Sequence, residues 1–269
     1  MNVNKKRPWY EIVFIVLVLV FFYLPILYVI LFSFNSSKSL STFTGFSLKW
    51  YEKMFSSYSM LESIYYTVIV AVIATIVSTI VGTIAAIGLS KSNRLIKEIV
   101  TQMNNLPMLN PDIVTAIGLL LLFSVLSIEK GFGTLLLAHI IFCIPYVMLT
   151  VTPRLRQLDD NIIEAALDLG CKPFEALIKV ILPQIKGAVL SGAIIAFTMS
   201  FDDFVISYFT TGPGISNISI YVYSSTKRID PSINALSTVI ILAVIIILTI
   251  SNVIPLIKER RKNKNEKIA

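Results

Sequence analysis

Residues 164–183, EAALDLGCKPFEALIKVILP, form a polar, helix-forming stretch lodged between the fourth and fifth of six long apolar runs. The runs cover roughly 10–34, 63–90, 108–128, 131–153, 188–211 and 233–257. A bilayer core takes about 20 apolar residues as a helix, so each run is long enough to span. Hydrophobic residues make up 55% of the chain and charged residues 14%, with a mean hydropathy of +0.79. Soluble globular chains carry about 25% charge. The sequence therefore predicts an all-α integral membrane protein in one domain, residues 1–269, with 154–187 as a loop made to touch something outside the bilayer.

Lys and Arg collect in cytoplasmic loops, so their placement gives the orientation. With the N-terminus inside, Lys5–Arg7, Lys91, Arg94, Lys97, Arg154, Arg156, Lys172, Lys179, Lys186 and six residues from Lys258 to Lys267 lie on the inner side. That is 17 against 6 outside (Lys38, Lys49, Lys53, Lys130, Lys227 and Arg228), which predicts cytoplasmic termini and a cytoplasmic 164–183 loop. The net charge of +7 sits at the ends of the runs, where it fixes topology and meets lipid headgroups rather than nucleic acid. Lys5–Arg7 before an apolar run resembles a signal peptide. That run exceeds the usual 7–15 residues and no A-x-A site follows, so it is expected to remain as the first span.

Cys143 and Cys171 are far apart in sequence and have no metal-ligand spacing. Residues 35–62, rich in Ser, Thr and aromatics, are expected to lie along the outer membrane surface, and 258–269 to form a disordered basic tail.

Within the inner loop, Asn161 followed by Glu164 fits a helix N-cap with a reciprocal partner, placing a helix start at Ile162. Gly170 supplies a left-handed stop and Pro173 opens a second helix. The helix between them has about two turns, too short to persist in water without tertiary contacts. Ala165 and Ala166 keep one surface thin while Leu167 and Leu169 offer apolar area to a partner or to the chain's own bundle.

The fifth run carries Ser200-Phe201-Asp202-Asp203-Phe204, two carboxylates inside apolar sequence. An ionised Asp at the centre of a span costs about 2.5–3.5 kcal/mol by insertion scales, so it is expected to face a cavity or a partner. On a continuous helix the two diverge by about 100°. Asp203 would then share a polar stripe with Ser200 and Ser207, and Phe201, Phe204 and Tyr208 an aromatic one. Carboxylates beside aromatic faces suit an organic polycation. The competing role is purely structural, bonding to neighbouring helices. Asp112, after Asn110 and Pro111, is both an ordinary helix start and a second carboxylate for a cationic substrate. His139, the single histidine, is expected to hydrogen-bond across a helix interface. Tyr221 and Tyr223 read as interfacial anchors or partner contacts. The residues provide no metal site and no catalytic constellation.

Glu164-Ala165-Ala166, then Gly170, then Val180 and Leu182-Pro183 resemble the EAA signature of permease subunits in ATP-binding-cassette importers, with Val180 where Ile is usual. The resemblance implies the six-helix bundle of type I importer permeases. It also implies that Glu164, Ala165, Ala166, Asp168, Gly170, Leu182 and Pro183 couple to a separate cytoplasmic ATPase, which binds ATP and Mg. No G-x-x-x-x-G-K-[S/T] phosphate loop occurs, so the ATP site is expected on that partner and this chain is expected not to be an enzyme.

Further on, FDDFVISYFTTGP (201–213) and DPSINAL (230–236) resemble the spermidine/putrescine permeases. That likeness implies an importer built with a second permease subunit, an ATPase dimer and an external polyamine-binding protein. The carboxylates and aromatics above, Asp202, Asp203, Phe201, Phe204, Tyr208 and Asp112, are the expected substrate path, and the likeness places the chain in a bacterial plasma membrane. The alternatives are another small organic or metal-complex cargo, or a secondary transporter independent of ATP.

Overall fold

The computed structural model describes residues 9–159, 161–225, 230–246 and 249. The expectations for Lys5–Arg7, for the last turns of the sixth run and for the basic tail fall outside those residues. The described residues are mostly helical, with a lone bridge between Asn35 and Phe46 as the sole β pairing among them.

Among the described residues, four helices are long and apolar enough to cross a membrane. They are α1 (Trp9–Ser33), α3 (Tyr58–Ser90), α6 (Phe132–Leu155) and the continuous segment Pro173–Phe201. Between them lie α2 (Lys49–Ser56), α4 (Arg94–Leu109), α5 (Asp112–Val125) and α7 (Asn161–Asp168). The Pro173–Phe201 segment opens as α8 (Pro173–Ala176), widens into a π turn (Leu177–Ile181) and continues as α9 (Leu182–Phe201). Pro183 has no N–H to give to the preceding turn, and the wider register in which Leu182 N–H reaches the Leu177 carbonyl accommodates it. After α9 come α10 (Val205–Thr210), α11 (Ile218–Ser225) and a shorter apolar helix α12 (Ser232–Ile246).

Two of the expected spans are interrupted. The third run begins inside α4, and α4 and α5 meet at a bend of 108°, a pair that counts as a fifth span if taken together. Pro111 disfavours helical backbone at the residue before it, and Asn110 is extended (φ −82°, ψ 145°). Pro111 itself takes the N-cap position and Asp112 is the first residue of α5, one place later than the Asn110 cap expected from sequence. The fifth run, expected to be one helix over 188–211, breaks at residues 202–204.

The chain divides into two compact units. In the one formed by Met1–Leu61 and Ser225–Ala269, α1 is apolar on every side and its spanning window has no buried residue, as suits contact with lipid. The segment after it is tied by Asn35, whose amide donates to the carbonyls of Ser39 and Thr42 (both 2.9 Å) and accepts from Thr44 N–H (2.8 Å). Trp50 of α2 donates its indole N–H to the Asn35 carbonyl at 2.6 Å, and Lys53 pairs with Asp230 at 2.6 Å.

The unit Glu62–Ser224 is packed around α6. Small residues let its neighbours approach closely, the usual device where lipid removes the hydrophobic drive between helices. A Cβ on Gly82 of α3 would sit 2.9 Å from Val147 Cβ, and one on Gly192 of α9 would sit 2.6 Å from Thr150 Oγ1. Ala86, Ala138, Phe142, Val147, Val151 and Ile185 are buried in this core.

Candidate functional site: a carboxylate cavity and an inner loop

Two helix ends create the cavity. α9 stops at Phe201 and leaves Asp202 at its C-cap, while α5 starts with Asp112. Both carboxylates are exposed, and both line an open cavity of ≈ 320 Å³ together with Phe142, Met199, the largely buried Asp203, Phe204 and Val205. No Lys or Arg lines it. The cavity is thus negatively charged with apolar and aromatic walls, an arrangement that attracts a cation and also holds its hydrocarbon portions.

The adjacent Asp203 has a different environment. Because the backbone breaks, its side chain folds over the start of α10 instead of projecting from a continuous helix. One oxygen accepts from Ile206 N–H (3.2 Å), and the other from Ser207 N–H (2.7 Å) and Ser207 Oγ–H (2.8 Å). Asp203 is 9% exposed, and from one place before the N-cap residue Phe204 its carboxylate accepts the first free N–H groups of α10. The polar stripe expected on one helix face is replaced by a buried cluster centred on Ser207. Its hydroxyl also meets His139 Nε2 (2.9 Å) and Asn217 Nδ2 (2.7 Å), and His139 Nδ1 lies 2.7 Å from Ser200 Oγ. His139 bridges helices, as its isolation in an apolar run led one to expect.

The break also divides the expected aromatic stripe. Phe204 and Tyr208 gather with Tyr223 of α11, ring centroids 4.8–5.7 Å apart. Phe201 stays on α9 and stacks on Phe197 at 5.5 Å. Asn217 escaped the sequence reading although it carries a readable signal, since an Asn before an apolar helix is a favoured cap; its Oδ1 accepts from Ile220 N–H at 2.9 Å.

At the other candidate site, α7 has the expected two turns and ends as expected at Gly170, whose φ is +86°. Gly170 N–H bonds the Leu167 carbonyl (2.9 Å) and Cys171 N–H the Ala166 carbonyl (3.1 Å), the paired closure of a Schellman motif. Pro173 opens α8. The start differs from expectation: the helix begins at Asn161, and Asp159 is the residue whose carboxylate accepts Asn161 N–H (3.0 Å). Asp159 precedes the run by two residues, and Asn161 competed for the same cap by spacing alone.

Glu164, Ala165 and Asp168 are exposed, whereas Ala166 is buried, so the two alanines do different work. Leu169 is 87% and Phe174 72% exposed, which gives the loop an apolar tip. Leu182 and Pro183 lie outside the core at the start of α9. Among the described residues, no group of three or more His, Cys, Asp or Glu side chains is placed to hold a metal ion.

Residues 78–264 match the model of the family described as binding-protein-dependent transport system inner membrane component. The chain is 37% identical over 242 residues to the spermidine/putrescine transport system permease protein PotC of Escherichia coli K12, covering 90% of this chain and 92% of that one. It is 38% identical over 247 residues to the putrescine transport system permease protein PotI of the same strain, covering 89% and 88%. Among solved structures, a chain of a bacterial ABC transporter involved in the import of the acidic polysaccharide alginate superposes with a TM-score of 0.70 at 15% identity. That match covers 93% of this chain and 98% of the other, and shows a shared fold.

Proposed function

The chain belongs to the family of binding-protein-dependent transport system inner membrane components, and from that premise we propose that it is a polyamine permease subunit of an ATP-driven importer. The observation that carries the cargo assignment is the cavity in which Asp112 and Asp202, from two different helices, face open space with no basic residue beside them. A flexible organic polycation satisfies such a site. Its ammonium groups pair with the carboxylates, and its methylenes lie against Phe142 and Phe204. The names of the PotC and PotI relatives point to the same cargo class. Asp203 then serves the site chiefly by holding the start of α10, and Phe204 serves as the aromatic wall with Tyr208 packed against it.

In this reading both termini are cytoplasmic and α7 is the coupling helix. Its exposed Glu164, Ala165 and Asp168, together with the Leu169 and Phe174 tip, enter a groove on an ATPase subunit, and Gly170, Leu182 and Pro183 fix the angle of the loop. ATP and Mg belong to that partner. When its dimer closes, the loop is drawn inward and the cavity turns outward to receive cargo from an external binding protein. A second permease subunit supplies the other wall of the path.

The test is ATP-driven uptake of labelled spermidine in vesicles holding the whole complex, with competitors of different chemistry. Excess putrescine is expected to suppress uptake, while a neutral diol and a dicarboxylate of equal length leave it unchanged. Competition by the neutral diol and not by putrescine would refute the cation assignment.

A further inference from the structure

The donors and acceptors around Ser207 fix the state of the single histidine. Asn217 Oδ1 accepts from Ile220 N–H, so the nitrogen of that amide is the atom facing Ser207, and it donates. The Asp203 carboxylate can only accept, so it takes the one hydroxyl hydrogen of Ser207. His139 Nε2, the third group on the same hydroxyl, must then donate as well. The ring carries a proton on Nε2, which also lies 3.5 Å from the Asp203 carboxylate, and in the neutral ring Nδ1 accepts from the hydroxyl of Ser200.

Ser200 sits in the last turn of α9 and Ser207 in the first turn of α10, on either side of the break that presents Asp202. One ring from α6, 1% exposed, therefore holds both half-helices. We propose that His139 is a positioning residue for transport: its ring, protonated at Nε2, staples α9 to α10 and thereby holds Asp202 toward the cavity. The functional half rests on Asp202 being a cargo-binding carboxylate; the tautomer does not.

His139→Gln and Ser200→Ala test the staple from its two ends. A glutamine amide reproduces the Nε2 donor and loses the Nδ1 arm, and Ser200→Ala removes the same arm from the other side. In the assembled importer each is expected to raise the KM for spermidine uptake by about tenfold, with ATPase co-purification retained, since a shifted binding group loses its aligned contact. The double variant is expected to be no worse than either single one, because both remove one interaction. Multiplying effects, or an unchanged KM in both single variants, overturn the proposal.

Because the chain has one histidine, ¹⁵N-histidine labelling of this subunit alone, assembled with unlabelled partners, reads one ring. The expected spectrum shows a protonated Nε2 and an unprotonated Nδ1. A proton on Nδ1, or a solvent-averaged pair, overturns the staple. If Asp202→Asn itself leaves KM unchanged, the cargo reading has failed, and the spectrum alone decides for or against the staple.

Discussion

Asp202 and Asp203 are neighbours in sequence, yet the same substitution is expected to act on different quantities at the two positions. Asp202→Asn removes a charge from an open cavity and breaks no side-chain bond to another described residue. A charge-assisted contact contributes about 1.5–3 kcal/mol, and about 1.4 kcal/mol is a factor of ten. Because Asp202 is exposed in an open cavity, this contact falls at the low end, so the spermidine KM is expected to rise about tenfold with the complex as stable as wild type.

Asp203→Asn acts on the fold instead. The asparagine oxygen can serve Ser207, but the amide nitrogen then faces Ile206 N–H, leaving one buried donor unpaired. That costs about 1–3 kcal/mol. The thermal midpoint of the assembled complex should fall, while the spermidine KM of the surviving fraction changes less than in Asp202→Asn. The assay is uptake kinetics in vesicles beside thermal unfolding in detergent. The opposite pattern, a stable Asp203→Asn with lost affinity and a silent Asp202→Asn, would refute the assignment of the two carboxylates.

Gly170→Pro is expected to abolish ATPase co-purification without preventing membrane insertion, because the position needs φ +86° and donates its N–H to Leu167; Gly170→Asn, which tolerates that backbone, should retain the partner. Gly82→Ala forces a Cβ to 2.9 Å from Val147 and should destabilise the α3–α6 contact by about 1–3 kcal/mol, read as a lower midpoint in thermal unfolding. At Asp230, burial pushes the carboxyl upward, but hydrogen bonds from Lys53 and Ser232 together outweigh it and leave the group below its ordinary range. A depressed folded pKa stabilises above the unfolded value of about 3.9 and is lost as pH falls through the folded one. Lys53→Gln should therefore cost a few tenths of a kcal/mol near pH 7, about what a partly exposed pair contributes, and progressively less as pH falls below the ordinary carboxylate range; a loss that does not shrink with acid would exclude the pairing as the cause.

Hydropathy located the long helices because their apolar residues have to meet lipid or the α6 core whatever the tertiary detail. The end of α7 was legible for a local reason: Gly170 and Pro173 act on their own backbone. The break after Phe201 was hidden because residues 188–211 read as one apolar run. The decisive contacts there come from His139, 61 positions before Ser200, and from Asn217. A cap signal was present, since Asp203 precedes an apolar segment with Ser207 four residues on, but the same spacing also describes a polar stripe on an unbroken helix. Choosing between them takes the third dimension. The cavity itself joins Asp112 to Asp202 across 90 positions of sequence, and no local pattern links them.

In the proposed function this chain carries an organic cation along Asp112 and Asp202 under the drive of a partner ATPase. The direct measurement is spermidine uptake into vesicles loaded with ATP, comparing the wild-type complex with one bearing Asp112→Asn and Asp202→Asn together. ATP-dependent uptake by the wild type and its near loss in the double variant are expected, with basal ATP hydrolysis preserved. Equal uptake by the two complexes, or uptake indifferent to ATP, would contradict the proposed function.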